Sequence, residues 1–148
     1  PPLHHISTRE RISTVTGRGE VTPSVSQFET PHTASPRTQL LSNGRYSLML
    51  TNGGGGYSRW GDFEITRWRS DRTRDSWGTF CYIREADSDR LWCNTWQPTG
   101  GNVEEYLATF TPDRAVFRRV DHGIESETEV IIAPGSATLS GPAKTTVP

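Results

Sequence analysis

The sequence predicts an all-β domain, an antiparallel β-sandwich. Three observations carry that reading: no segment of about twelve residues keeps a helical 3.6 period, short runs alternate apolar and polar residues, and turn formers recur every ~8–12 residues. The chain has 148 residues, of which 32% are hydrophobic and 22% charged. That is enough for one core and argues against a fully disordered chain. A formal net charge of −1 excludes a global electrostatic footprint for nucleic acid, and no apolar run is long enough to insert directly into a membrane. The opening PPLHHISTRERIST has neither an initiating Met nor a signal-peptide core, which suggests a segment of something longer. His4 and His5 are too few for a metal tract.

Residues 1–38 are rich in Ser, Thr and Pro and read as a linker or extended arm, with RISTVTG as the one stretch able to add an edge strand. Residues 39–134 form the predicted sandwich, of about eight short strands. Asn43-Gly44 suits a type I′ turn, which needs positive φ at both central residues. In the strand after it, Tyr46, Leu48 and Leu50 face one way and Ser47, Met49 and Thr51 the other, half-buried. DFEITRWR is the next strand beyond the glycine run. GTFCYIREADSDRLWCNTW reads as a hairpin about its Asp-Ser-Asp turn. The run VEEYLATFTPDRAVFRRVDHGIESETEVIIAP gives three more strands, divided at Thr-Pro-Asp and His-Gly. Residues 135–148 lose the pattern and read as a tail, leaving the last strand as an exposed edge open to pairing.

Cys81 and Cys93 flank the hairpin turn. Two thiols make no disulfide framework, and two small buried or half-buried thiols are the favoured reading. All five tryptophans, Trp60, Trp68, Trp77, Trp92 and Trp96, fall within one segment. Flat aromatic faces stack on pyranose rings, and Arg, Asp, Asn and Gln satisfy the hydroxyls. The competing reading is that the tryptophans fill the core. Strand parity puts Trp68 with Thr66 and Glu64, opposite Phe63 and Ile65, and puts Trp92, Asn94 and Trp96 opposite Leu91 and Cys93.

In RWRSDRTRDSW the charges nearly cancel, the signature of a solvated face rather than of a nucleic-acid groove. Arg59, Arg67 and Arg69 stand apart because aromatic neighbours can hold their guanidinium groups flat. The glycine run is no phosphate loop, since it lacks GxxxxGK[ST]. It reads as a flexible or sharply bent connection, or as a place where the backbone approaches a ligand. No nucleophile constellation or metal-ligand spacing is present. Asp87 with Asp89 and Glu125 with Glu127 lie in a turn and on a strand face, not in a cleft of the kind glycoside chemistry requires. Catalysis by this segment is not expected, and no cofactor or metal is called for.

The stretches LLSNGRYSLMLTNGGGGYSRW, ITRWRSDRTRDSWGTFCYIRE and LWCNTWQP closely resemble the cyclic β-1,2-glucan synthases. The matching part is the N-terminal β-sandwich of their phosphorylase-like region (glycoside hydrolase family 94, once glycosyltransferase family 36). The resemblance covers about residues 38–133. It implies a truncated part of a larger sandwich whose catalytic (α/α)6 barrel is not in this segment. Its role would be accessory: contact with β-glucan oligosaccharide or polysaccharide, packing on the catalytic domain of the parent chain, and contacts in a homodimer. The parent would be a glycosyltransferase or phosphorylase-type enzyme, with this soluble domain at the cytoplasmic face of a bacterial inner membrane. The glycine run with Tyr57, Ser58, Arg59 and Trp60 matches a segment near the active-site entrance, where glycines would let a loop reach over a sugar site. The resemblance together with the residue chemistry nominates Tyr57, Trp60, Trp68 and Trp77 for stacking. It nominates Arg59, Arg67, Asp62 and Gln97 for polar contacts. The alternative is a purely structural scaffold or dimerisation module.

Overall fold

The computed structural model describes residues 24–69 and 75–135, together with the backbone of 139–140 and 143–146. Twelve strands lie within them, and no helix: β1 (Ser26–Phe28), β2 (Thr38–Ser42), β3 (Tyr46–Thr51), β4 (Gly56–Trp60), β5 (Phe63–Thr66), β6 (Tyr82–Arg84), β7 (Leu91–Cys93), β8 (Glu105–Thr111), β9 (Arg114–Asp121), β10 (Ile124–Ile132), β11 (Leu139–Ser140) and β12 (Ala143–Thr146). One sheet runs β1-β8-β9-β10, with β11 and β12 both on the far side of β10. A second runs β2-β3-β4-β5, and β6-β7 is a separate ribbon. All pairings are antiparallel, so the chain is the all-β sandwich its alternation predicts.

The core follows from period-two burial. Tyr106, Ala108 and Phe110 of β8, with Ala115 and Phe117 of β9, turn inward against Leu41, Tyr46, Leu48 and Leu50 of the second sheet. Phe110 meets Phe28 and Phe117 edge-on at centroid distances of 5.5 and 6.1 Å, the geometry that aromatic quadrupoles favour. Beyond Phe117 the inward positions of β9 are Arg119 and Asp121, 1% and 4% exposed. They pair with each other, and Arg119 also donates to the carbonyls of Thr95 (2.5 Å) and Gly100 (3.1 Å). A buried charge needs such complete pairing, and here it fastens the segment after β7 to the sheet.

Several expectations are corrected. The stretch read as an arm, residues 1–38, contains β1, whose Phe28 is buried in the core and pairs with Ala108, as well as the first residue of β2. One apolar residue in a three-residue strand leaves no period to detect. RISTVTG lies outside the described residues. The segment read as a tail supplies β11 and β12, which cover the edge of β10 that was expected to be bare.

At Asn43-Gly44 the central turn residues are Gly44 and Arg45. Gly44 has φ +88°, and His122 is the only non-glycine at positive φ among the described residues. That pattern is type II′, not I′. Asn43 instead accepts from the backbone N–H groups of Arg45 (3.1 Å) and Tyr46 (2.8 Å) through Oδ1. The type I′ pattern occurs at His122-Gly123, φ +52° and +74°. β3 is buried on both faces, Met49 and Thr51 included, with only Ser47 half-buried. Gly56–Trp60 was not anticipated as a strand.

Candidate functional site: an arginine-lined cleft on the outer face of the second sheet

The glycine run is a packed structure. Residues 51–56 are all buried, closed by hydrogen bonds from the Thr51 N–H to the Gly55 carbonyl (2.7 Å) and from the Gly54 N–H to the Thr51 carbonyl (2.9 Å). A Cβ on Gly54 would stand 2.3 Å from the Thr95 side chain, one on Gly55 2.3 Å from Asp75 Oδ1, and one on Gly56 1.9 Å from the Met49 carbonyl. The glycines therefore exist to let Thr95, Asp75 and β3 close in. This corrects the expectation of a flexible loop extending over a sugar.

The neighbouring Asn52 is also buried. It donates to the Thr30 carbonyl (3.1 Å), accepts from the Arg37 N–H (2.9 Å), and its own carbonyl accepts from Tyr106 Oη (2.6 Å). These contacts tie the segment before β2 to the glycine turn and to the other sheet.

Beside this packed turn lies an open cleft of about 430 Å³, lined by Tyr57, Arg59, Glu64, Thr66, Arg67, Trp68 and Arg69. Its floor comes from β4 and β5. Tyr57 and Arg59 alternate outward from β4 while Ser58 and Trp60 turn inward, opposite Leu48 and Tyr46. A β-bulge at Ser58/Arg59 sets Thr66 opposite Ser58 but Glu64 opposite Arg59. The extra residue, Ile65, breaks the alternation, as bulges do. Simple parity is thus lost within β5, although Glu64, Thr66 and Trp68 do line the same cleft. Trp68 is half-buried, and its Nε1 donates to Asp75 Oδ1 at 2.5 Å. Asp75 Oδ2 accepts from the fully buried Thr51 hydroxyl, so one carboxylate connects the cleft wall to the glycine turn.

Charge in the cleft is unbalanced. Arg67 pairs with Glu64 at 3.0 Å, and both side chains are largely exposed, which makes the bond weak. Arg59 and Arg69 carry no side-chain hydrogen bond or ion pair among the described residues. Among the described residues, three arginines thus meet one glutamate in the cleft. A second hollow of about 230 Å³ opens between the sheets, shares Tyr57 and Thr66 with the cleft, and is walled by Leu48, Leu50, Phe80 and Val130.

Of the nominated residues, the structure brings Tyr57, Arg59, Arg67 and Trp68 together. Trp60 packs against the core. Asp62 is exposed in the β4–β5 turn. Trp77 is 47% exposed on the flank of the glycine turn, its carbonyl accepting from the Gly56 N–H at 2.7 Å. Gln97, half-buried, donates from its N–H to the Gly53 carbonyl (2.9 Å) on the turn's other flank and precedes the cis peptide to Pro98. Trp92 is buried, 5.8 Å from the His122 ring, and Trp96 packs on the core with His32 against it at 4.6 Å. Trp92 and Cys93 are both buried while Leu91 is exposed, so the two-face reading of that strand fails: β7 ends at Cys93. Both cysteines are free, Cys81 exposed and Cys93 buried. Glu64, Thr66 and Asp75 were not nominated. No local spacing signals Asp75, whose partners come from β3 and from beyond β5. Among the described residues no three His, Cys, Asp or Glu side chains gather to hold a metal, and no helix is long and apolar enough to cross a membrane.

The chain belongs to the glycosyl hydrolase 94 supersandwich domain family, whose family model matches residues 22–138. It is 37% identical over 120 residues to the cyclic beta-(1,2)-glucan synthase NdvB of Rhizobium meliloti (strain 1021), a match covering 79% of this chain and 4% of that protein. It is 30% identical over 78 residues to the N,N'-diacetylchitobiose phosphorylase of Vibrio proteolyticus, and 27% over 78 residues to that of Vibrio furnissii. Each of these matches covers 51% of this chain and 10% of the relative. The chain spans a small fraction of the length of the relatives it matches.

Proposed function

We propose that this chain is a non-catalytic accessory module of a larger glucan-acting enzyme, and that its outer cleft contacts β-glucan while the sandwich packs beside the catalytic domain. The observation that carries the glucan reading is the convergence of Tyr57 and Trp68 with Arg59, Arg67 and Glu64 in one cleft. Concave sites of this size, mostly preformed and with a few convergent polar groups, suit small ligands. Asp75 occupies the Trp68 N–H, so Trp68 offers the cleft its ring rather than its donor. The similarity to a cyclic beta-(1,2)-glucan synthase supports glucan as the sugar; in this reading the parent enzyme works at the cytoplasmic face of a bacterial inner membrane.

The test is a titration of the chain with linear and cyclic β-1,2-glucans followed by tryptophan fluorescence, with cellulose oligomers as the control. A saturable shift for β-1,2-glucan that disappears in Trp68→Ala and Tyr57→Ala is expected. A flat response at millimolar sugar from folded protein would reject glucan contact.

A scaffold or dimer-interface reading has its own observation. Phe63 and Ile65 of the edge strand β5 are 76% and 56% exposed, an apolar edge of the kind that packs on another domain or copy. Under that reading Phe63→Ser would weaken association with the catalytic domain and leave glucan titrations unchanged.

A further inference from the structure

Arg59, Arg67 and Arg69 line the same cleft, with Glu64 their one acidic neighbour in it among the described residues. The whole chain is nearly neutral, at −1, so this excess of positive charge is local. Two of the three guanidinium groups carry no side-chain partner among the described residues, and the Arg67–Glu64 pair is exposed enough to exchange. The nearby carboxylate of Asp75 is already engaged by Thr51 and Trp68 and is not among the groups lining the cleft.

A neutral sugar needs both donors and acceptors for its hydroxyls. Here the charged groups are chiefly donors, since arginine has five N–H groups and accepts nothing. Guanidinium forks match the paired oxygens of a carboxylate or phosphate. The cleft is concave and about 430 Å³, the scale of a small ligand rather than of a flat protein surface.

We infer that the cleft of Arg59, Arg67 and Arg69 binds an oxyanion, and that its ligand is a saccharide bearing a carboxylate or phosphate ester, its ring against Tyr57 and Trp68. This rests on the sugar-contact reading above and narrows it to a charged sugar. The shared chemistry is the oxyanion, and its source, ester, acid or free phosphate, is what the experiment separates.

The whole chain is titrated with glucose, glucuronate, glucose 6-phosphate and inorganic phosphate at low ionic strength, following the Trp68 indole N–H by NMR, assigned with Trp68→Phe. Glucuronate and glucose 6-phosphate are expected to bind about tenfold or more tighter than glucose. That advantage should shrink with added salt and vanish in the Arg59→Gln/Arg69→Gln double variant. Both arginines are exposed, so that variant should keep the wild-type melting temperature. Equal affinity for glucose and its charged counterparts would overturn the oxyanion site and leave glucan contact standing. Inorganic phosphate binding as tightly as glucose 6-phosphate, with glucose silent, would overturn the saccharide assignment and the glucan reading together. No shift with any of the four would overturn the oxyanion site and leave glucan contact to the titration with β-1,2-glucans.

Discussion

Asp75 grips Trp68 and the glycine turn at once: Oδ1 accepts from the Trp68 indole N–H at 2.5 Å, and Oδ2 from the hydroxyl of Thr51. The side chain that orients the aromatic wall of the cleft is therefore the same one that satisfies a buried hydroxyl in the core-facing turn. The cleft wall and the buried turn are coupled through a single carboxylate.

Asp75→Ala should remove both bonds and strand the Thr51 hydroxyl, which is 0% exposed. An unsatisfied buried hydroxyl costs about 1–3 kcal/mol. Urea denaturation should show a loss of that size, accompanied by a red shift of Trp68 emission in the native state. Unchanged stability would mean that Asp75 does not serve Thr51.

The glycines of the turn are not equivalent. A Cβ at Gly53 meets neighbours no closer than 3.6 Å, whereas one at Gly56 would sit 1.9 Å from the backbone carbonyl of Met49. A backbone atom in a sheet cannot step aside as a side chain can. Gly53→Ala should fall within about 0.5 kcal/mol of wild type, and Gly56→Ala should cost at least the ~1–3 kcal/mol of overpacking. Paired thermal melts would decide the ranking.

The buried pair Arg119–Asp121 invites a one-sided substitution. Asp121→Ala leaves a guanidinium that is 1% exposed without its carboxylate, at a cost of about 3–5 kcal/mol. Because Arg119 also holds the carbonyls of Thr95 and Gly100, hydrogen exchange should quicken first in the segment between β7 and β8.

Tyr106 gives the chain an alkaline limit. Burial pushes its phenol well above the ordinary value of 10.0, and the neutral O–H donates to the Asn52 carbonyl. A pKa raised in the folded state contributes stability that is complete below the unfolded pKa and is lost as pH climbs past it. Folding stability should thus decline above about pH 10, by up to ~1.4 kcal/mol per pH unit from this group. Tyr106→Phe should start about 1 kcal/mol lower at neutral pH and decline less steeply. Chemical denaturation across that pH range would read both slopes.

The three long strands β8, β9 and β10 are legible in the sequence because each repeats an alternation several times, as in Tyr106, Ala108 and Phe110. The hairpin about Asp-Ser-Asp is legible through its turn residues. β1 is not, since a single buried Phe28 has no partner residue to set a period. The bulge at Ile65 is likewise invisible, since nothing in the local sequence marks the residue that β4 leaves without a partner. The cleft was half legible: aromatic and arginine residues mark Tyr57, Arg59, Arg67 and Trp68. The glycines pointed to close approach, but what approaches them is Asp75 and Thr95 of the chain itself. Neither lies beside the turn in sequence.

The pairing of β1 with β8 sets the order in which a growing chain can assemble. Ser26 must meet Phe110 and Phe28 must meet Ala108, while β2, β3 and β4 each pair with the next strand along. Local pairs close at little entropic cost, but contacts of such separation are slow to form. As the chain leaves the ribosome, the β2–β5 sheet can form with Leu41, Leu48 and Leu50 still facing water. Phe28 waits until more than half of the domain has been made, and that interval is when the nascent sheet is most exposed to self-association.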